Sequence, residues 1–219
     1  MRRFLLPASR KPYSSARQCL TTTLSLGLML GLSACATNPG AGRNNWDAAQ
    51  LARREQRVTD GAIGSRNTDA ETELRRQVCE IDRVACDAIR VYVVDRPEAQ
   101  ARLWPNDMLI VTSGLLQLID QSGPSAAARL RFALAHELAH RQLGHFDRRD
   151  RAGWDADAAE READAVAIES LRTGGFPTDS GIELLQLIID QRRQDSRGMD
   201  GLRARIAAMR ERISRGGTP

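Results

Sequence analysis

All three histidines of this 219-residue chain fall within ten residues, at positions 136, 140 and 145. The first two frame the segment His136-Glu137-Leu138-Ala139-His140. Residues four apart on an α-helix sit about 40° from each other and one turn along, so both imidazoles reach one point in space. Leu130, Phe132, Ala133, Leu134 and Ala135 lead into the segment and make its helix largely buried. Two buried imidazoles beside a buried carboxylate are costly without a partner, and a metal ion supplies one. The helix must therefore lie inside a domain, facing another element that completes the site.

HExxH is the arrangement in which a metal lowers the pKa of a water and polarises a carbonyl while the glutamate, here Glu137, takes the proton. A catalytic zinc site needs a third protein ligand and an open fourth position. His145 lies five residues beyond His140, about 140° around a continuous helix, and is expected at the surface or near the helix end. A third histidine at 146 is excluded, because that position is Phe146. The better ligand is Glu160, in Glu160-Arg161-Glu162-Ala163-Asp164. Asp164 stands one turn after Glu160 on the same face, placed to accept a hydrogen bond from a ligand histidine and fix its tautomer. Glu162 lies about 160° from Glu160 and is expected in solvent.

HELAHRQLGH followed by EREADAVA resembles the zinc peptidase family that includes HtpX, the CAAX prenyl endopeptidase and BepA, family 48 of the metallopeptidases. The likeness runs from about Thr68 to Arg212 and includes Val93-Val94-Asp95 and Gly114-Leu115-Leu116. It implies a gluzincin, with His136, His140 and Glu160 on one Zn2+ per chain and Glu137 as general base. It also implies a strand near Leu109–Thr112 bordering the cleft, to whose edge an extended peptide could pair. Two departures stand out. Gln100-Ala101-Arg102 and Pro105-Asn106-Asp107 replace the family's usual Asn-Ala-Phe and Pro-Gly-Gly, and Met199-Asp200 replaces a His-Pro pair that precedes Arg205-Ile206. With no histidine after His145, Arg205 becomes the candidate for stabilising the oxyanion. An exposed charge on an arginine-rich helix is the other reading of Arg205.

Residues 1–34 hold Arg2, Arg3, Arg10, Lys11 and Arg17 and no acid, and end in the apolar run Cys19 to Ala34. This is the pattern of a secretory signal, short for a membrane-spanning helix. Leu32-Ser33-Ala34-Cys35 resembles a bacterial lipobox, so cleavage before a lipidated Cys35 is expected. Ala36 follows it, which matches the sorting pattern of outer-membrane lipoproteins. The expected location is the periplasmic face of a bacterial envelope, with the membrane reached through Cys35 and other envelope proteins as partners. The whole chain has 32 basic and 28 acidic residues. Loss of the signal's five basic residues leaves 27 against 28, so the positive charge belongs to the signal and nucleic-acid binding loses its bulk support. Cys79 and Cys86 remain, in a compartment that permits disulfides. Seven helical residues would separate them by about 10 Å, so a disulfide requires the helix to end between them. Two buried thiols are the alternative.

Residues 36–44 read as a tether, followed by a polar helix over Trp46–Val58. A helix over Asp69–Ile81, strands at Ile89–Val94 and Met108–Thr112, and a short helix at Gly114–Ile119 come next. Arg96–Asp107 reads as a loop. One long helix is expected from Ser125 to about Arg148, and others over Asp155–Arg172, Asp179–Arg193 and Leu202–Ile213. The fold class is α+β, a mainly helical zincin-like domain with a small sheet at the cleft. Its parts are a signal at 1–34, a lipidated cysteine, tether and N-terminal helix at 35–66, a zinc metallopeptidase domain at 67–214 and a tail at 215–219. The segment 146–157 is well placed to cover the cleft. The expected activity is hydrolysis of peptide bonds in misfolded or unassembled envelope proteins. A weakly active, chaperone-like zinc lipoprotein is the alternative, favoured by Met199, and a purely structural lipoprotein is the third reading.

Overall fold

The computed structural model describes residues 47–121, 123, 125–149, 151–191 and 199–216. The expected signal, Cys35, the tether and residues 217–219 lie outside them. Over the described residues the fold is α+β and mainly helical. Its elements are α1 (Ala48–Thr59), α2 (Thr68–Ile81), β1 (Arg90–Val94), β2 (Ala101–Leu103), β3 (Met108–Thr112), α3 (Ser113–Asp120), α4 (Ala126–Gln142), α5 (His145–Arg148), α6 (Ala156–Thr173), α7 (Ser180–Gln191) and α8 (Met199–Arg215). No described helix is long and apolar enough to cross a membrane.

The sheet has the order β1-β3-β2, with β1 parallel and β2 antiparallel to β3. Successive strand side chains point to opposite faces, and here both faces are covered. Val91, Val93, Leu109 and Val111 pack inward against α2 and α4, in a core that continues through α6, α7 and α8. Tyr92, Val94, Met108 and Ile110 pack outward with Trp104 and with Leu51 and Val58 of α1. All five residues of β3 are therefore buried, which explains the unbroken apolar run Met-Leu-Ile-Val that precedes Thr112. Each fully buried side chain of this size contributes about 1.5–3 kcal/mol.

Local signals set the helix ends. Asp47, Asn67 and Asp155 accept hydrogen bonds from Gln50, Ala70 and Ala158 N–H at the starts of α1, α2 and α6. Gly181 opens α7 against α4, where an added Cβ would stand 2.4 Å from the Phe132 ring. Helix α2 ends at Ile81, between the two cysteines, and a disulfide joins Cys79 to Cys86 with Cα atoms 4.5 Å apart.

Two expectations are corrected. Arg96–Asp107 is not all loop: Ala101–Leu103 forms β2, the edge strand, and β3 is central with both sides paired. The strand whose edge is open beside the cleft is thus β2 and not Leu109–Thr112. Three residues with arginine in the middle are too few to show a two-residue period. The single long helix from Ser125 to Arg148 also breaks. Gly144 adopts φ +63°, the left-handed conformation of a helix-terminating glycine, and α5 starts afresh at His145.

Candidate metal centre

Helix α4 is the spine of the domain. Phe132, Leu134 and Leu138 bury it in the inner core, while His136 and His140, one turn apart, face α6. The α6 residues on that side are Ala159, Ala163 and Ala167, whose small side chains let the helices approach and leave Glu160 and Asp164 facing the imidazoles. All four polar groups are buried.

The nitrogen and oxygen atoms converge. His136 Nε2 lies 3.2 Å from His140 Nε2, and each is 3.3 Å from a different oxygen of Glu160. One donor atom from each residue lies within 4.8 Å of the others. Ligands about 2.0–2.1 Å from a tetrahedral centre stand roughly 3.4 Å apart, so this donor set fits zinc in spacing and in chemistry. The outer nitrogens are held as well. Asp164 Oδ1 is 2.9 Å from His136 Nδ1, and Asp164 is gripped bidentately by Arg205 of α8, at 2.8 Å from Nε and 2.7 Å from Nη2. Arg205 Nη1 donates to Glu160 Oε2 at 2.9 Å. Arg205 is thus a partly buried clamp on two acids as well as part of the cleft wall.

These pairings decide protonation. Burial pulls the His136 pKa down, but hydrogen bonds to Asp164 and Glu160 outweigh it and raise the pKa to about 10. Burial pushes Glu160 and Asp164 up. The two histidines overcome it at Glu160, and Arg205 with His136 overcomes it at Asp164, so both carboxyls end below their usual range. A proton on His136 therefore completes the cluster in the metal-free protein, and a metal would displace it.

Glu137 follows His136 and turns toward the edge strand, where its Oε2 accepts the Leu103 N–H at 2.8 Å. It shares with His136, Glu160 and Arg205 a cleft of about 90 Å³, lined further by Ala99, Ala101, Phe132, Leu184 and Leu185. Backbone bonds of Gln100 and Trp104 run to β3, so the alternate residues Ala101 and Leu103 turn their polar groups to the outer edge. The β2–β3 turn is also fastened to α4, since Arg141 Nε donates to Asp107 at 2.7 Å.

His145 stands elsewhere than the helical geometry placed it. The break at Gly144 turns it inward, where it is 3 % exposed, with Nδ1 2.8 Å from His140 Nδ1 and Nε2 3.1 Å from Glu162. Burial depresses its pKa against the opposing pull of Glu162. Glu162 is half-exposed, as expected, yet binds both His145 and Arg148. The glycine four residues after His140 was the signal in the sequence, since a helix end there cancels the 140° argument. Trp154 packs on the His145 ring at 5.5 Å between centroids, and none of the described residues between 146 and 157 lines the cleft.

No curated protein matches the chain. The sequence model of Peptidase family M48 matches residues 64–152, which span α2, the sheet, α3, α4 and α5. The match ends before Glu160 and Asp164, so it is the fold that brings α6 to the matched histidines. The match over residues 64–152 supports peptidase family M48 and, with it, a metallopeptidase function.

Proposed function

We propose that this protein is a zinc-dependent metalloendopeptidase, with one Zn2+ per chain held by His136, His140 and Glu160 and with Glu137 as general base. The observation that carries the reading is the convergence of three donors whose outer atoms are already oriented, His136 by Asp164 and Glu160 by Arg205. Bound zinc would supply a Lewis acid that polarises the scissile carbonyl and acidifies the attacking water. Glu137 takes that water's proton and returns it to the leaving amine. The Leu103 N–H keeps the carboxylate turned to the strand on which a peptide would lie. Ala101 and the Leu103 carbonyl offer backbone groups to an extended substrate, which favours unfolded chains over side-chain motifs. The apolar lining of the cleft accepts one aliphatic side chain beside the scissile bond. Arg205 supports the developing negative charge through its field, since its donors lie on Glu160 and Asp164.

The same reading places the domain at the bacterial envelope, tethered through lipidated Cys35 on the periplasmic face, with misfolded or unassembled envelope proteins as substrates. The basic, acid-free start, the apolar run and the Leu32-Ser33-Ala34-Cys35 segment support it. One observation favours the chaperone-like alternative. Met199 begins α8 as a buried core side chain, so no imidazole reaches the cleft from that position.

The test incubates zinc-loaded protein with casein beside a Glu137→Gln variant. Cleavage by the parent alone is expected. Stoichiometric zinc in both with no cleavage by either would replace the peptidase reading with the alternative.

A further inference from the structure

The two candidate zinc histidines are held by different means. An imidazole that offers the lone pair of Nε2 must carry its proton on Nδ1. For His136 that N–H meets Asp164 directly, at 2.9 Å. For His140 it meets another imidazole, His145 Nδ1, at 2.8 Å. A neutral imidazole has one N–H, so a His145 that accepts at Nδ1 carries its proton on Nε2. That nitrogen lies 3.1 Å from Glu162 Oε2. Every proton in the row is then placed: His140 Nδ1–H to His145 Nδ1, and His145 Nε2–H to the Glu162 carboxylate.

The arrangement follows from helix geometry. Glu162 is two residues from both Glu160 and Asp164 on α6, hence on the far side of that helix from the metal donors. It cannot reach His140 itself. The inward turn at Gly144 places an imidazole in the gap, and Arg148 Nη2 holds the same Glu162 oxygen at 3.0 Å from the other side. Trp154 closes over the ring.

We propose that His145, anchored by Glu162, is the positioning residue that fixes the tautomer and orientation of His140 for zinc. This rests on the reading of His136, His140 and Glu160 as a zinc site. His145 touches neither substrate nor metal; it acts through His140, as Asp164 acts through His136.

The test measures zinc affinity of the full-length protein by competition with a chromophoric chelator, together with histidine tautomers by long-range 1H–15N NMR of the zinc-loaded protein. Outer partners of this kind are worth about 10–100-fold in metal affinity, and His145→Phe is expected to lose that much. His145→Asn, whose amide oxygen falls near the place of Nδ1 and accepts the His140 N–H, is expected to recover most of the loss. Glu162→Gln is expected to fall between the parent and His145→Phe. A folded His145→Phe protein that binds zinc as tightly as the parent would overturn the proposal. So would an Nδ1–H tautomer at His145 in the parent, a result that needs no variant to fold. Failure of the parent to bind zinc would defeat the underlying metal reading and this proposal with it, whereas binding that His136→Ala abolishes and His145→Phe leaves intact would defeat this proposal alone.

Discussion

The two faces of the sheet are built from the same strands and do different things. The outer face packs Tyr92, Val94, Met108 and Ile110 against one helix, and its charged groups pair near the surface, as Glu55 does with Arg90 and Tyr92. The inner face packs Val91, Val93, Leu109 and Val111 against α4, which buries three histidines with its neighbours α5 and α6. One face is a scaffold of ordinary apolar packing. The other combines an apolar core with a buried polar cluster that holds only because each member has a partner. Changes on the inner face should therefore reach the chemistry, with or without a loss of stability, while changes on the outer face should touch stability alone.

The sharpest test of that division is Glu137→Gln. On the inner side it should lower kcat/KM on casein by about 10²–10⁴-fold. The thermal midpoint should hold, because an amide oxygen can still accept the Leu103 N–H. An unfolded variant would mean that Glu137 is structural. Phe132→Ala comes next, at about 3–5 kcal/mol in urea unfolding. Its ring is buried and lines the cleft, so kcat/KM should fall as well. Met108→Ala, equally buried on the outer face, should cost about 2–5 kcal/mol and leave kcat/KM of the folded fraction unchanged. A changed kcat/KM there would erase the distinction.

A graded effect is expected from pH. In protein treated with chelator, His136 titrates near 10 instead of its ordinary 6.5. A raised pKa stabilises fully below 6.5, and that contribution is lost as pH climbs toward 10. Glu55 on the outer face has a lowered pKa and stays ionised throughout this window. Urea midpoints at pH 6, 8 and 10 should decline in the chelated protein, and a flat series would remove His136 as the titrating group. The smallest effect is at Asp47→Ala, the cap of α1. It should cost about 1 kcal/mol with no change in turnover.

What the sequence made legible follows from how each element signals itself. Helix α4 announces the site because two histidines one turn apart in an apolar helix need a common partner to offset their burial. Glu160 and Asp164 were readable by the same one-turn spacing on α6. The pair of strands was readable because β-branched runs are short and bounded. The edge strand was not, since Ala101–Leu103 takes its conformation from pairing with β3 and from Glu137 at Leu103 N–H, both distant in sequence. His145 was misplaced by one assumption, that the helix continued through Gly144. Arg205 was noticed, but its grip on Asp164 and Glu160 depends on α8 packing beside α6, which no local pattern encodes.

The double fastening of β2 to α4 has a consequence for products. Glu137 holds Leu103, and Arg141 holds Asp107 at the adjoining turn, so strand and helix share one frame of reference. In the proposed peptidase, a peptide laid along that edge would be indexed to the cutting point like a ruler against a stop. Sliding it by one residue would present the wrong backbone groups and reverse its side chains, whereas sliding by two restores both. Secondary cuts should therefore fall about 7 Å away along the chain, the length of two extended residues. A mass spectrum of casein fragments would then show ladders spaced by residue pairs.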